Sequence, residues 1–180
     1  RAELAEFVNL QRKQGHGDTK LTEDEAMIIG GALEMTNKTV QCCLTPLKDV
    51  FMLEASTLLD MDELQRIQAE GRSRVPVYEE RRDNIVGMIL VKDLLLMDHR
   101  KKVRAKEVAR KELPGIYATK RLYDCLHIFL KGDSHMAAVH NVENPKRVDG
   151  IVTLEDIIEE LIKEEIMDEM DVRTPAKKAP

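Results

Sequence analysis

The sequence predicts an α/β fold in which two copies of a β-α-β-β-α unit pack together as one module. Strand-like and helix-like segments occur twice in the same order. Gly71-Arg72-Ser73 recurs as Gly132-Asp133-Ser134, 61 residues later, and Gly87 recurs as Gly150, 63 residues later. The difference falls in a polar turn, where changes of length are tolerated. Because a unit of about 60 residues buries too little apolar surface to be stable alone, we expect the copies to pack on each other.

Apolar periodicity and turn residues predict the elements of each copy. In the first copy we expect a strand over residues 50–53, a helix over 61–69, strands over 74–78 and 85–90 joined by a polar turn, and a helix over 91–97. In the second copy we expect a strand over residues 116–118, a helix over 122–130, strands over 136–140 and 148–152, and a long helix over 154–170.

Helices precede the first copy. Residues 1–37 have helical periodicity that is interrupted at Gly15-His16-Gly17-Asp18. Thr22 and Glu25 have the spacing of a capping box, so the helix after the interruption should begin with Thr22 as its N-cap. The predicted organisation is therefore a helical connection over 1–37, units over 38–99 and 112–171, a basic linker over 100–111, and a flexible tail over 172–180.

Composition and charge exclude several classes of function. Aromatic residues make up only 3% of the chain and the formal net charge is −5, which argues against a nucleic-acid-binding protein. No apolar run has the roughly 18 residues of a membrane span, and no secretory leader opens the sequence. The three cysteines lack the spacing of a zinc site or a disulfide framework, which favours a cytosolic compartment. Because the first residue is Arg1, we expect a piece of a longer protein.

Two runs of like charge each allow two interpretations. Residues 100–111 contain seven basic residues and one acid, which is typical of a solvated linker but also suits polyphosphate, RNA or acidic lipid headgroups. Residues 155–171 contain nine acids and one lysine. They are expected to form the outer face of an amphipathic helix, and the alternative is a weak site for hydrated magnesium.

The most informative motif is the predicted start of the last helix. Thr153 and Asp156 stand at the N-cap and N3 positions, where they could form a capping box without any ligand. The same positions place a hydroxyl, free amide donors and a carboxylate together, which suits a ribose diol and the edge of a phosphate. In the first copy Leu90 stands at the position of Thr153. The sequence therefore predicts one good site in the module.

Several motifs together resemble the cytosolic module of the cyclin-M (CNNM) mediators of magnesium transport and their bacterial CorC relatives. The similarity extends from about residue 21 to 169, and it implies tandem CBS domains that form a Bateman module. The motifs that carry it are Leu21-Thr22-Glu23-Asp24-Glu25, Ile29-Gly30-Gly31-Ala32-Leu33, Thr45-Pro46-Leu47-Lys48-Asp49, Ser73-Arg74-Val75-Pro76-Val77-Tyr78 and Val152-Thr153-Leu154-Glu155-Asp156.

The resemblance implies a set of nucleotide-binding residues. Thr153 and Asp156 match the ribose-binding pair of that family, and Thr45 matches a threonine on the adenine side of the cleft. The remaining matches are Ile151 and Val152 beside the adenine, and Arg74, Ser134 and His135 near the phosphates.

The function implied by the resemblance is a non-catalytic sensor of adenine nucleotide. We expect ATP, or alternatively ADP or AMP, to enter with Mg²⁺ between the two units and to change the shape of a homodimer. In that family a DUF21-type transmembrane domain precedes the module, which would place this chain at the cytosolic face of a membrane. The alternative is a protein-interaction and dimerisation module that binds no ligand, in which Thr153 and Asp156 only cap a helix.

Overall fold

The computed structural model describes residues 3, 4, 6–8, 10, 21–95, 97, 102–110, 113–132 and 134–163. The predicted interruption at 15–18 and the tail 172–180 lie outside these residues. The elements are α1 (Glu23–Met35), β1 (Thr45–Pro46), β2 (Leu53–Glu54), α2 (Met61–Ala69), β3 (Arg74–Glu79), β4 (Arg81–Leu90), α3 (Val91–Leu94), α4 (Ala105–Val108), β5 (Gly115–Tyr117), α5 (Leu122–Leu130), β6 (Met136–His140), β7 (Val148–Thr153) and α6 (Leu154–Ile162).

The strands form two sheets, one for each predicted unit. The first sheet has the order β2-β3-β4, with β2 parallel and β4 antiparallel to β3. The second has the order β1-β7-β6-β5, in which β5 is parallel to β6 and β7 is antiparallel to both β6 and β1. Matching pairs of strands thus occur in both halves, which confirms the predicted duplication.

A segment from the opposite half completes each sheet. Thr45 of β1, near the start of the first unit, pairs with Ile151 of the second unit's sheet. In the same way Arg110, which precedes the second unit, forms a bridge to Met88 of β4, and the two residues exchange backbone hydrogen bonds of 2.8 and 3.1 Å. This exchange fixes the two units against each other, because neither sheet is complete without the other half's chain.

Most predicted elements are confirmed, and four differ in extent. The predicted strand 50–53 contributes only its last residue to β2. The polar turn shrinks to Glu80, at φ 61°, because the polar residues from Arg81 onward continue β4. Side chains two apart share one face of a strand, and Arg81 donates to Asp83 there at 2.6 Å. The helix predicted over 91–97 ends at Leu94.

The last helix is also shorter than predicted in the part of the chain described. It ends at Ile162, and Lys163 follows with a left-handed backbone at φ 55°. The Lys163 ammonium donates to Glu34 of α1 at 2.7 Å. The predicted continuation of this helix to residue 170 lies outside the described residues.

Each unit has its own apolar core, and a third cluster joins them. Leu53, Leu59, Ile67 and Ile89 are among the buried residues of the first core, and Leu122, Phe129 and Ile157 are among those of the second. The joining cluster contains buried side chains from β4, β6 and β7: Met88, Met136, Ala138, Val148 and Ile151. Burial of apolar surface therefore holds the units together, as their size predicts.

The N-terminal helix α1 belongs to the second unit by its contacts. Its N-terminus has the predicted capping box between Thr22 and Glu25, which is confirmed. Its last residue, Met35, is only 2% exposed within the second core. Lys38, just beyond the helix, donates to Glu160 of α6 at 2.7 Å. Helix α1 is thereby tied to α6, whose N-cap is Thr153.

The basic segment before the second unit packs against the first unit. Ala105 is fully buried there, and its N–H donates to the Thr57 carbonyl at 2.8 Å. Lys106 forms a salt bridge with Glu79 at 2.5 Å. Within the described residues 102–110, the segment is therefore part of the folded unit, with its basic side chains exposed.

The contact between α1 and α6 can be tested at two adjacent glycines. A Cβ at Gly31 would collide with the Leu161 backbone carbonyl, whereas nothing lies within 4 Å of a Cβ at Gly30. Gly31→Ala should lower the free energy of unfolding by about 1–3 kcal/mol, the usual cost of overpacking. Gly30→Ala should raise it by about 0.5–1 kcal/mol, because alanine favours a helix more than glycine does. Urea unfolding of both variants measures the difference, and effects of the same sign would contradict the described packing.

Candidate functional site

The site begins where β7 passes into α6. The Thr153 N–H and hydroxyl donate to Oδ2 of Asp156 at 2.6 and 2.7 Å, and the Thr153 hydroxyl accepts from the Asp156 N–H at 3.2 Å. This is the predicted capping box, and it is confirmed. Both bonds to the carboxylate end on Oδ2, so Oδ1 is left to accept from another group.

Strand β1 lies beside this helix start. Thr45 is half-buried and pairs with Ile151, two residues before Thr153. Residues two apart in a strand share a face, so Ile151 and Thr153 lie on one side of β7. Val152 points to the other side and is fully buried in the second core, so its side chain is not available to a ligand. The structure thus brings Thr45, Ile151, Thr153 and Asp156 together.

Gly150 allows β1 to approach β7 this closely. A Cβ at Gly150 would lie 2.5 Å from the Thr45 carbonyl oxygen and 2.5 Å from Cδ1 of Leu44. Any other residue would push β1 away from the sheet. The glycine that the repeat pattern identified therefore has a steric role, because it allows β1 to pair with β7.

Ser134 and His135 lie at the same edge of the sheet. The residue after them, Met136, pairs with Thr153. The Ser134 hydroxyl is nine-tenths buried, donates to the Met136 carbonyl at 2.8 Å and accepts from the Met136 N–H at 3.2 Å. The His135 carbonyl accepts from the first N–H of α6, that of Leu154, at 2.9 Å. These contacts tie the segment to the helix start, and they already use the Ser134 hydroxyl proton.

Arg74 lies in the first unit's sheet. It is the first residue of β3, is half-buried and pairs with Leu90. Leu90 occupies the position of Thr153 in the repeat, as predicted, and it caps α3 without a side-chain hydrogen bond. The position of Arg74 in its own unit corresponds to that of Met136 in the second unit.

A different arginine acts electrostatically on Asp156. Burial raises the pKa of the Asp156 carboxyl, and the charge of Glu155 adds to this effect. The hydrogen bonds from Thr153 oppose it, and so does the charge of Arg72. Arg72 is exposed in the turn before β3. The sequence prediction named Arg74, two residues further along the chain, and Arg72 lies within the repeated Gly-x-Ser signal.

Two thiols near the site are at least partly buried, and burial disfavours their ionised form. Burial raises the pKa of Cys43 far above its ordinary value, and the negative charge of Asp156 contributes, so the two groups are neighbours. Burial also raises the pKa of Cys125 to about 11. Both thiols are therefore protonated at neutral pH, and a protonated thiol is a poor nucleophile and metal ligand.

The start of α6 has an apolar side that packs in the second core and an acidic side that does not. Ile157 is fully buried in the second core, while Glu160 pairs with Lys38 of the N-terminal segment. Among the described residues no group of three or more histidine, cysteine, aspartate or glutamate side chains could hold a metal ion. The amphipathic interpretation holds for residues 155–162, and the remaining acids lie outside the described residues.

Part of this chain is similar to a known protein family. Residues 105–163 match the family model described as CBS domain. The chain carries a CBS domain. Its fold matches a CBS domain of a bacterial CNNM/CorC family Mg²⁺ transporter with a TM-score of 0.80, at 27% identity over 93% of this chain and 98% of that one. A CBS domain of the same transporter family in complex with ATP matches with a TM-score of 0.70, at 29% identity over 78% of this chain and 98% of that one.

Longer relatives contain the same region. A DUF21 domain-containing protein of Arabidopsis thaliana is 44% identical to this CBS-domain chain over 140 residues, which is 78% of the chain and 27% of that protein. A second from the same organism is 42% identical over 139 residues, or 33% of its length. The chain thus spans about a third of the curated relatives it matches. None of the helices in the described residues is long and apolar enough to cross a membrane.

The electrostatics of Asp156 give a pH-dependent prediction. A carboxyl whose pKa is raised by folding favours the folded state fully below its unfolded pKa, about 3.9, and this contribution is lost as the pH rises through the folded pKa. Asp156→Asn keeps an acceptor for Thr153 without the charge. The melting temperature of Asp156→Asn relative to the parent should therefore rise between pH 4 and pH 7.

Thermal melts across that pH range, with Glu143→Gln on an exposed loop as the control, measure this difference. The melting temperature of Glu143→Gln relative to the parent should not change with pH. A relative melting temperature of Asp156→Asn that is constant or falls with pH would contradict the burial of a charged Asp156.

Proposed function

We propose that this CBS-domain chain is a non-catalytic regulatory module that binds adenine nucleotide, Mg-ATP in particular. The observation that carries the proposal is the carboxylate of Asp156, held by Thr153 at the start of α6, close to the point where Thr45 of the crossing strand pairs with Ile151. The space beside these residues is the proposed cleft. The ATP complex of a structural relative supports the choice of ligand. The larger protein is proposed to be a divalent-cation transport protein with a DUF21 region, and the module is proposed to lie at the cytosolic face of its membrane.

The ribose diol is the part of the nucleotide that Asp156 suits best. A carboxylate accepts hydrogen bonds but cannot donate them, and its Oδ1 has no partner among the bonds described. Because Asp156 is partly desolvated, hydrogen bonds from two hydroxyls would stabilise its charge more than they would in water. The adenine would then lie beside Thr45 and the backbone of Ile151, because the Ile151 side chain is only 3% exposed in the joining cluster.

The phosphates require positive charge, because Glu155 and Asp156 repel them. The charge of Arg72 reaches Asp156. Arg74, His135 and the backbone at Ser134 are the proposed further contacts, because the Ser134 hydroxyl already donates to the Met136 carbonyl. Mg²⁺ is proposed to be held through the phosphate oxygens, since it keeps several waters and usually binds together with substrate phosphates. On this proposal the metal supplies charge that the protein's own side chains provide only in part.

The helix pair α1 and α6 offers a route from the cleft to the rest of the protein. Ligand contacts at Asp156 act on the start of α6, and α6 is tied to the N-terminal segment through Lys38–Glu160 and Lys163–Glu34. A ligand shifts such an arrangement only by its difference in affinity for two states. The proposed signal is therefore a displacement of α1, which precedes the first unit.

A homodimer is proposed as the form that responds. The equivalent helices α2 and α5 expose large apolar side chains, namely Met61, Tyr123 and Leu130. Packing these helices against a second copy with twofold symmetry would cover that surface. Closure of the cleft would then alter the angle between the protomers, since packed interfaces move between discrete arrangements.

A second function class is favoured by one specific observation. The capping box satisfies the Thr153 hydroxyl and one Asp156 oxygen without any ligand, as it would in a module that serves only for protein interaction and dimerisation. The two functions differ in their response to nucleotide. A ligand at 100 times its dissociation constant adds about 2.7 kcal/mol to the free energy of unfolding, whereas a module that does not bind gains nothing.

Calorimetric titration with ATP tests the nucleotide proposal. The parent should bind ATP in magnesium and at least tenfold more weakly in a chelator, because Mg²⁺ offsets the repulsion from Glu155 and Asp156. Asp156→Ala should abolish binding while the chain stays folded, since loss of a cap costs about 0.5–2 kcal/mol. The matched control is Asp93→Ala, the equivalent position of the first unit, which should bind as the parent does.

Three outcomes would contradict the proposal. Absence of heat and of thermal stabilisation in the parent would favour the interaction module. If a folded Asp156→Ala variant bound ATP with the affinity of the parent, the proposed contact between Asp156 and the ribose would be wrong. Equal affinity for ATP in magnesium and in a chelator would contradict the proposed role of Mg²⁺ in binding.

Solution scattering tests the dimer. We expect light scattering to give the mass of a dimer with and without Mg-ATP, and X-ray scattering curves that differ between the two conditions. Leu130→Glu, at the most exposed apolar side chain of α5, should yield monomers. A monomeric parent, or superimposable curves despite demonstrated binding, would contradict the proposed dimer signal.

A further inference from the structure

The first unit repeats the backbone arrangement of the proposed nucleotide cleft at Thr45 and Asp156, and this repeat is called the first cleft. In the second unit, Thr45 pairs with Ile151, the residue after Gly150. In the first unit, Arg110 bridges to Met88, the residue after Gly87. The crossing segments therefore meet their sheets at corresponding positions, and Arg110 takes the place of Thr45.

Both clefts have the same close approach of backbone. A Cβ at Gly87 would lie 2.6 Å from the Arg110 carbonyl oxygen, just as one at Gly150 would lie 2.5 Å from the Thr45 carbonyl oxygen. The repeat also supplies the same carboxylate, since Asp93 stands six residues after Gly87 and Asp156 stands six residues after Gly150. The backbone and the acid of a nucleotide site are thus present twice.

The side chains around the two carboxylates differ. Leu90 replaces Thr153, so no hydroxyl caps α3 or holds Asp93. Instead Arg110 donates from Nε to Oδ2 of Asp93 at 2.8 Å, and its terminal nitrogen Nη2 lies 2.8 Å from the same oxygen. Asp156 has no such partner in the described residues, where its carboxylate accepts only from Thr153.

We propose that Arg110 is an internal occupant of the first cleft and limits the module to one nucleotide. Its guanidinium takes the place on Asp93 that ribose hydroxyls would take, and its backbone stands where that of Thr45 stands in the second unit. This inference rests on the function proposed above, and it adds that the identity of residue 110, together with Leu90, sets the number of sites. The fold alone would allow two.

The test is the number of nucleotides bound per chain. Titration with Mg-ATP should give one for the parent and two for the double variant Arg110→Thr with Leu90→Thr, which restores the side chains of the second cleft. The control pairs Leu90→Thr with Lys106→Thr, which breaks the salt bridge to Glu79 in the same segment, and it should give one. Because the Arg110 side chain is 59% exposed, its loss should leave the fold intact, as circular dichroism will show.

The single variant Arg110→Thr provides a second measurement that needs no double substitution. With adenosine at millimolar concentration, the Asp93 amide resonance should shift in this variant and stay unchanged in the parent. One nucleotide in a folded double variant, two in the parent, or an Asp93 resonance that moves equally in both proteins would overturn the inference. A parent that binds none while the double variant binds one would refute the proposed function of the native chain and still support the role of Arg110.

Discussion

The exchange of short segments between the two units is the constraint on which the rest of the structure depends. Each sheet takes an edge from a segment at or just before the start of the other unit, through Thr45 in one case and Arg110 in the other. Gly150 and Gly87 allow the approach, because any Cβ at these positions would contact the crossing carbonyl. The clefts, the shared cluster around Met88 and Ile151, and the pairing of the units all follow from this arrangement.

The charge of Asp156 determines which ligand groups this arrangement suits. Burial beside the crossing strand raises the pKa of the carboxyl, while Thr153 and Arg72 favour its ionised form. A partly desolvated carboxylate gains more from hydroxyl donors than an exposed one does. In the equivalent cleft, the guanidinium of Arg110 already supplies that gain to Asp93. The fold therefore places two equivalent aspartates, Asp93 and Asp156, in different environments.

Helix α1 links the proposed cleft to the chain that leads into the first unit. The sequence predicted it as a connection that precedes the module, and the described residues show that α1 packs on α6 at Gly31. Two salt bridges add to this contact, Lys38–Glu160 just after α1 and Lys163–Glu34 just after α6. A segment that enters the first unit is thus held by the second. This explains how a ligand at the start of α6 would act on the chain that leads into the domain.

The sequence by itself determined the duplicated units, the capping boxes at Thr22 and Thr153, and the helices over 61–69 and 122–130, because periodicity and capping depend on residues a few positions apart. Only the tertiary structure decided that β1 crosses to the second sheet, that Val152 faces the core, that Arg72 acts on Asp156, and that Arg110 neutralises Asp93. These contacts join residues far apart in the chain. Their geometry depends on how the two sheets pack, which no local pattern encodes.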